Sequence, residues 1–303
     1  MSLRVVSLVP AGTDLVAALG AAATLVGVSH ACDHPAAAGL PRLTRSRLSS
    51  TLSAVEVDSA VAEAAGTGSG LYEVDWDALS ALRPDVVITQ DVCGVCAVDG
   101  RDVACRLPVG ASVVTLSASD LVGMGKDVMA VAGALGLRHE GQALWEGIAG
   151  QLTALSASHA GAPRPRTLAI EWAEPPYLGG HWVPGLVAIA GGMHLLAGPG
   201  EVSRRSDWAE IAAADPDVIV FMPCGYALQD AVAEAETLLS LPEVAGLRAV
   251  QAGRFWVVDA NALYSRLGPR VVEAAEVLAA ILHGPEAPGE GLAVRMGAMA
   301  AVG

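Results

Sequence analysis

Two short segments of the chain concentrate the side chains best suited to hold a metal. The first reads His30-Ala-Cys32-Asp-His34, and the second contains Cys93 and Cys96, separated by two residues. Imidazole nitrogen and thiolate sulfur are the ligands that zinc and other transition metals prefer. The spacing differs from the paired Cys-x-x-Cys motifs of a structural zinc ribbon, so two interpretations stay open. Either these five residues bind a metal, or they are small buried residues and loop caps at strand ends.

A redox function of the two neighbouring cysteines is the weakest interpretation. Redox dithiols place the first cysteine at a helix N-terminus, where the thiolate is stabilised. Gly94 and the Asp99-Gly100 pair instead predict a loop with an acidic neighbour. No phosphate-binding loop, dinucleotide-binding glycine motif or nucleophile elbow is present in the sequence, so no catalytic residues are predicted.

A second set of candidates follows the predicted strands directly. Ligands of open parallel sheets bind beyond the carboxyl ends of the strands. By that rule the ligand-binding candidates are Pro10, Thr13, His30, Gln90, Asp91, Glu171, Trp172, Trp182, Cys224, Tyr264 and Arg266. We expect Trp172, Trp182 and Tyr264 to give flat apolar walls for a large planar ligand, and Arg266 to contact its polar edge. Alternatively, the tryptophans only cover the rim of the site.

The elements that must position these residues alternate between strand and helix. Strands are predicted at 4–8, 24–28, 86–89, 112–116, 167–171, 218–222 and 254–258, and Ala-rich amphipathic helices at 14–19, 75–82, 183–190, 207–214 and 269–282. Alternation of this kind indicates parallel β-α-β units. The predicted fold class is therefore α/β, with parallel sheets.

An internal repeat predicts two similar lobes. Asp75-Trp76, with Pro84-Asp85 and a strand after it, recurs 132 positions later as Asp207-Trp208 with Pro216-Asp217. Residues 118–136 predict one long helix that joins the lobes, closed by Gly136. The predicted domains are an N-terminal lobe at 1–117, a backbone helix at 118–136, a C-terminal lobe at 137–284 and a poorly ordered tail at 285–303. A ligand is expected in the cleft between the lobes.

The amino-acid composition limits the classes of binding partner and the cellular location that we expect for the chain. The formal net charge is −14, and Lys126 is the single lysine, which argues against nucleic acid and anionic membrane surfaces. No apolar run is long enough for a membrane span, and no basic, apolar and small-residue leader precedes the first strand. Five cysteines, an odd number, fit a reducing compartment. The sequence as written predicts a cytoplasmic protein, or a periplasmic or cell-surface one if the true start lies upstream.

Several stretches carry a resemblance to a known family. Residues 4–20, 25–30, 82–88, 208–220 and 265–270 resemble the cobalamin and iron-chelate binding proteins of ABC importers. The segments 30–35 and 89–98 resemble a subgroup labelled cobalamin-binding proteins. The resemblance implies two Rossmann-like lobes joined by one backbone helix, a small-molecule metal chelate as the ligand and an ABC permease as the partner.

Two departures from the family argue against the permease. Relatives that deliver to a permease carry a leader, and they present one acidic residue per lobe in the helix before each Pro-Asp-strand motif. Asp77 matches in the first lobe, whereas Ala209 occupies the equivalent position in the second, with Glu210 beside it. Asp77 and Glu210 are more simply read as ordinary solvated helix residues.

The function predicted from the sequence is non-enzymatic binding of a corrinoid, such as cobalamin, or of a related metal chelate in the inter-lobe cleft. His30, Cys32 or Cys93 would reach the metal centre. One alternative is a binding site for a bare ion such as zinc, formed by His30, Cys32, His34, Cys93 and Cys96. Another is a cytosolic enzyme that processes a corrinoid with a thiolate.

Overall fold

The structure is a computed structural model of the chain. It describes residues 3–49, 52–67, 70–92, 98, 100–107, 110–284 and 291–297. The chain divides into two compact units, a first unit of residues 1–147 and a second unit of residues 148–303. No described helix has the length and apolar character needed to cross a membrane.

The strands of the first unit are β1 (Val5–Ser7), β2 (Leu25–Val28), β3 (Thr44–Ser46), β4 (Tyr72–Val74), β5 (Val86–Gln90) and β6 (Ser112–Leu116). Four of them form a parallel sheet with strand order β2-β1-β5-β6. The helices of this unit are α1 (Pro10–Ala18), α2 (Ala54–Thr67), α3 (Trp76–Ala81), α4 (Gly100–Arg106) and α5 (Leu121–Leu135), and α6 (Arg138–Ser158) contains the division between the units. Strands β3 and β4 form a separate antiparallel pair. Aliphatic side chains of the sheet and of α3, including Val6, Leu79 and Val87, form the core.

Helix α5 lies within residues 118–136, where the sequence predicts one long helix, and that it joins two lobes stays a prediction. Asp120 caps its first turn, because the side-chain Oδ1 accepts the backbone N–H of Gly123. Gly136 ends the helix with φ 73°, a left-handed conformation that glycine adopts without steric cost. Helix α6 begins two residues later and is longer than α5.

The strands of the second unit are β7 (Arg166–Trp172), β8 (Tyr177–Leu178), β9 (Met193–His194), β10 (Arg204–Arg205), β11 (Val218–Phe221), β12 (Phe255–Val258) and β13 (Ala293–Met296). They form a mixed sheet in which six strands follow the order β10-β8-β7-β11-β12-β13. The helices of this unit are α7 (Val183–Ile189), α8 (Trp208–Ala214), α9 (Leu228–Leu239), α10 (Pro242–Ala245), α11 (Arg248–Gln251), α12 (Ala260–Leu263) and α13 (Val271–His283). Strands β7, β11 and β12 are parallel. The predicted α/β fold class is confirmed.

One part of the predicted tail is ordered, contrary to the expectation of a poorly ordered segment after Gly284. Strand β13 pairs antiparallel with β12 from Val258 to Phe255. The prediction was wrong for residues 293–296 because it relied on the Pro- and Gly-rich stretch before them. Within β13 the side chain of Ala293 is buried. The guanidinium carbon of Arg295 lies 6.0 Å from the ring centroid of Trp256.

The repeated helix has the same local structure in each unit. Asp75 and Asp207 both cap their helix, with Oδ1 accepting the backbone N–H three residues later at 2.9 and 2.7 Å. The chain leaves both helices through a residue with positive φ, Arg83 at 44° and Asp215 at 42°. These residues are 132 positions apart, as are the two caps.

An arginine at the start of the first strand of each unit makes equivalent contacts. The backbone N–H groups of Arg4 and Arg166 each donate to the Pro-Asp carboxylate, Asp85 or Asp217, at 2.8 Å. Their guanidinium groups donate to the main-chain carbonyls at 82 and 214, again 132 positions apart. The repeat seen in the sequence therefore extends to its hydrogen bonds.

The caps give a direct test of the repeat. We expect Asp75→Ala and Asp207→Ala each to lower the free energy of unfolding by about 1 kcal/mol, because each leaves a helix N–H without its acceptor. Urea denaturation followed by circular dichroism measures the change. Asp77→Ala is the matched control in the same turn, with a loss below about 0.5 kcal/mol. A control loss as large as that of Asp75→Ala would contradict the capping role.

Candidate functional site

The loop after β2 is tightly packed in the first unit. The Sγ atom of Cys32 lies 3.1 Å from Thr13 Oγ1 and 3.2 Å from Ser29 Oγ, and Cys32 is 3% exposed. The Arg42 guanidinium donates to the main-chain carbonyls of Ser29 and Cys32. Cys32 and Thr13, two sequence-predicted site residues, therefore contact each other inside the unit, and both are buried.

The two histidines of this loop both use Nδ1 in a hydrogen bond, but with different kinds of partner. His34 Nδ1 accepts the backbone N–H of Ala36 at 3.0 Å, which occupies that lone pair. In the neutral ring the other nitrogen then carries the proton, so His34 as seen here caps a short 3₁₀ turn. His30 Nδ1 lies 2.7 Å from Thr44 Oγ1, and its ring packs edge-on against Tyr72. Desolvation, assisted by the charge of Arg42, lowers the pKa of His30.

The remaining first-unit candidates lie at the ends of β1 and β5. Pro10 begins α1, and Gln90 ends β5. Asp91 is exposed, and its backbone N–H donates to the carbonyl of Leu116 at 3.0 Å. Asp127 lies close enough to Asp91 for the two charges to interact, and burial is the main cause that raises the pKa of Asp127. Asp127 is not among the site residues predicted from the sequence.

Cys93 and Cys96, two of the five predicted metal ligands, lie outside the described residues. Within the described ranges, no three His, Cys, Asp or Glu side chains are grouped as a metal site.

In the second unit, hydrogen bonds connect the loops at the carboxyl ends of β7, β11 and β12. The backbone N–H of Cys224 donates to the carbonyl of Glu171 at 3.0 Å, and that of Asn261 donates to the carbonyl of Tyr226 at 2.9 Å. The backbone N–H of Gly225 donates to Ser265 Oγ at 2.8 Å. The strand-end rule thus brings the predicted residues of this unit to one edge of its sheet.

Two aromatic contacts lie at this edge. Trp172 packs edge-on against Tyr226, with ring centroids 5.6 Å apart. Trp182 donates its indole N–H to the carbonyl of Tyr264 at 3.1 Å, which fixes the ring. Both tryptophans are partly exposed, so each has surface that a ligand could contact.

Tyr264 and Arg266 differ from the expectation that they face a ligand. Tyr264 is 3% exposed and its hydroxyl donates to the carbonyl of Ala274 at 2.9 Å, so it cannot act as an open wall. Burial raises the pKa of Tyr264 far above its ordinary value. Arg266 is 9% exposed, and its guanidinium donates to Asn261 Oδ1 at 3.2 Å. The prediction that Tyr264 forms a flat wall for the ligand was wrong, because the Tyr264 ring is buried beneath this edge. Its main-chain carbonyl instead accepts the hydrogen bond from Trp182.

A polar chain that the sequence analysis missed runs beside Trp182. Ser203 Oγ donates to Glu171 Oε2 at 2.6 Å and lies 3.2 Å from His181 Nδ1. The ring centroids of His181 and Trp182 are 5.9 Å apart. The sequence offered one indication of this site, since His181 lies between a Gly-Gly pair and Trp182, a predicted site residue. It gave no indication of the contact with Ser203, which lies 22 residues later in another loop.

Acidic groups surround Tyr226 at the same edge. Burial raises the pKa of Glu234, and the charge of Glu174 raises it further. Burial also raises the pKa of Tyr226, with additional contributions from the charges of Glu234 and Asp230. This edge therefore favours neutral or cationic groups over additional carboxylates.

A comparison with protein families gives a match over most of the chain. The family model described as periplasmic binding protein (Peripla_BP_2) matches residues 5–262. The chain belongs to this family. The resemblance noted from the sequence is thereby confirmed, and members of the family are substrate-binding proteins of ABC importers.

Solved periplasmic binding proteins share the fold of this family member. A periplasmic heme-binding protein from Pseudomonas aeruginosa is 24% identical, with TM-score 0.70 and coverage of 98% of both chains. The vitamin B12-binding protein BtuF of Vibrio cholerae is 20% identical, with TM-score 0.66 and coverage of 93% of this chain and 96% of that one. The heme-binding protein HutB of Vibrio cholerae is 19% identical, with TM-score 0.71 and coverage of 93% and 99%. A comparison with curated protein sequences found no match.

The acidic positions of this chain differ between its two units. Asp77 is exposed in the first turn of α3. Ala209 is also exposed, but Glu210 beside it forms two hydrogen bonds with the Arg204 guanidinium, at 2.7 and 3.0 Å. Those bonds, with a third from Ser206, lower the pKa of Glu210 to about 2. The interpretation of Glu210 as a simple solvated residue is incomplete, because the residue belongs to a local ion pair.

Proposed function

We propose that the chain binds a corrinoid such as cobalamin, as the substrate-binding protein of an ABC importer and without catalysing a reaction. Family membership supports the binding role, and solved proteins of this fold include one described as binding vitamin B12 and others described as binding heme. The resemblance of residues 30–35 to cobalamin-binding proteins supports the corrinoid. That the ligand lies in a cleft between the lobes stays a prediction.

The charge at the carboxyl edge of the second unit is the observation that favours a corrinoid over heme. Heme carries two propionate carboxylates, whereas the periphery of a corrinoid carries mostly neutral amides. The charges of Glu234 and Asp230 act on Tyr226, and the charge of Glu174 acts on Glu234. Bringing propionates to this region would add like charge, while amides can donate hydrogen bonds to carboxylates.

The partly exposed tryptophans support a large planar ligand. Trp172 is braced by Tyr226, and Trp182 by its hydrogen bond to the Tyr264 carbonyl. Rings held in this way lose little conformational freedom when a flat ligand packs on them. A bare ion would use neither surface.

A titration tests the proposal. We expect aquocobalamin to give a saturable shift in its visible absorbance at micromolar concentration, and hemin to bind more weakly in parallel. Because Glu234→Gln removes one negative charge from the edge, it should raise the affinity for hemin about threefold. The glutamine oxygen can still accept a hydrogen bond from a corrinoid amide, so the affinity for cobalamin should change little. Protein with no response to cobalamin, and with stoichiometric zinc found by elemental analysis, would overturn the corrinoid proposal in favour of a metal-ion site.

Cellular location and the permease belong to the same proposal. Members of the family are periplasmic, and fractionation of source cells tests whether this chain is periplasmic as well. Because Glu210 is engaged by Arg204, we propose that contact with a permease depends on Asp77 more than on the second unit. Asp77→Ala should then reduce chelate uptake more than Glu210→Ala does.

A further inference from the structure

His181 is held in a backbone conformation that most side chains avoid. Its φ is 52°, in the left-handed region that costs a non-glycine residue of the order of 1 kcal/mol. Two backbone hydrogen bonds fix it there, because its N–H donates to the carbonyl of Glu201 at 2.5 Å and its carbonyl accepts the N–H of Gly200 at 2.8 Å. Such strain persists where the surroundings determine it, and it is concentrated at ligand-binding positions.

The hydrogen bonds of Ser203 determine which nitrogen of His181 carries the proton. A serine hydroxyl has one proton, and Ser203 donates it to the Glu171 carboxylate at 2.6 Å. The same oxygen accepts the backbone N–H of Gly180 at 3.2 Å. Towards His181 it can only accept, so Nδ1 is the protonated nitrogen. In the neutral ring the lone pair therefore lies on Nε2.

The Nε2 atom of His181 is available to a ligand. Within the described residues it makes no hydrogen bond, and the residue is partly exposed. A neutral imidazole whose other N–H is bonded towards a carboxylate is the form in which histidine binds metals, and the outer partners fix the ring and raise its basicity.

We propose that His181 Nε2 coordinates the metal centre of the bound chelate, cobalt or iron, at a position that the macrocycle leaves open. Ser203 and Glu171 are positioning residues that hold the ring in the Nδ1-protonated form. Trp182, 5.9 Å from His181 between ring centroids, provides a flat surface beside the coordinating nitrogen. This inference rests on the proposed binding of a metal chelate, and it assigns the metal contact to the second unit instead of the Cys/His segments of the first.

The test uses the full chain with hemin and with aquocobalamin as probes. The key variant is His181→Gly, because glycine adopts φ 52° without strain and leaves space for free imidazole. Arg83→Gly is the matched control, an exposed residue at φ 44° remote in sequence from the edge. We expect the wild-type chain and the control to show nitrogen axial ligation by absorbance with both probes and, with hemin, also by electron paramagnetic resonance, because the Co(III) of aquocobalamin is diamagnetic. His181→Gly should lose that signature, bind about 10- to 100-fold more weakly and regain the signature on addition of imidazole.

The outcomes separate this inference from the proposed function. If the wild-type chain binds neither probe, the proposed function fails and the inference fails with it. If it binds a probe and His181→Gly keeps the same spectrum, the proposed function stands and His181 is not the ligand. Ser203→Ala tests the positioning role of Ser203. The variant should still bind hemin but with a shifted reduction potential, and an unchanged potential would contradict the positioning role.

Discussion

Gly180→Ala is expected to destabilise the second unit by about 3 kcal/mol and to abolish chelate binding. A Cβ atom at position 180 would lie 2.6 Å from the carbonyl oxygen of Glu201 and 2.7 Å from the carbonyl carbon of Val202. Both are backbone atoms, so the clash cannot be relieved by rotation of a side chain. Overpacking of this kind costs about 1–3 kcal/mol, and separating the segments also weakens their hydrogen bonds.

The loss of binding should follow from the same displacement. Moving residues 201–203 away from Gly180 breaks the bond from the His181 N–H to Glu201 and moves Ser203 away from His181. The imidazole then loses both its backbone anchor and the acceptor of its Nδ1 proton. We expect the variant to bind aquocobalamin or hemin more weakly than His181→Gly does.

Chemical denaturation and the absorbance titration measure the two effects of Gly180→Ala. Gly150→Ala in α6 is the matched control, because a Cβ atom there meets no atom within 4 Å. Alanine in a helix interior stabilises it by up to about 1 kcal/mol relative to glycine. A Gly180→Ala variant as stable as the wild type would show that the two segments can separate without cost.

Sequence pattern was sufficient for the elements that repeat. The repeated helices that begin near Asp75 and Asp207, and the strands after Pro84 and Pro216, follow from local signals that operate within a few residues. Strand β13 was missed because an antiparallel edge strand of four residues depends on its partner β12, not on its own sequence.

Site residues were predictable from the sequence only where they lie at the carboxyl end of a strand. Glu171 and Trp172 end β7, so the strand-end rule selects them. Tyr264 follows the same rule but points inward, because its hydroxyl reaches the Ala274 carbonyl of α13, a contact that sequence does not specify. His181 and Ser203 are 22 residues apart, and only the close approach of two loops makes them partners.

Stability of the second unit should fall by about 3 kcal/mol between pH 6.5 and pH 4 because of His194 alone. Burial lowers the pKa of His194 from 6.5 to about 4. Its ring accepts the Ala169 backbone N–H at Nε2 and lies 3.2 Å from the carbonyl of Ala197 at Nδ1, which defines a neutral ring protonated at Nδ1. A second proton would place Nε2–H against the N–H of Ala169.

The sign follows from proton uptake. In the unfolded chain His194 binds a proton below about pH 6.5, while the folded chain resists it until about pH 4. The contribution of the neutral His194 ring to the free energy of unfolding is therefore fully present above pH 6.5. It declines as the pH falls and reaches its minimum below pH 4. The difference in pKa converts to about 3 kcal/mol at 1.36 kcal/mol per unit.

Urea denaturation from pH 4 to pH 8 isolates this contribution when the wild type is compared with His194→Gln. The pKa values of His30, His181 and His283 are also lowered, so the wild-type curve alone combines several histidines. The difference between the two curves should be flat above pH 6.5 and should change by about 3 kcal/mol towards pH 4. His139→Gln, at an exposed position in the first turn of α6, is the control and should reproduce the wild-type pH dependence. If His194→Gln retains the full wild-type slope, the acid sensitivity belongs to the other histidines and the Ala169 hydrogen bond does not control it.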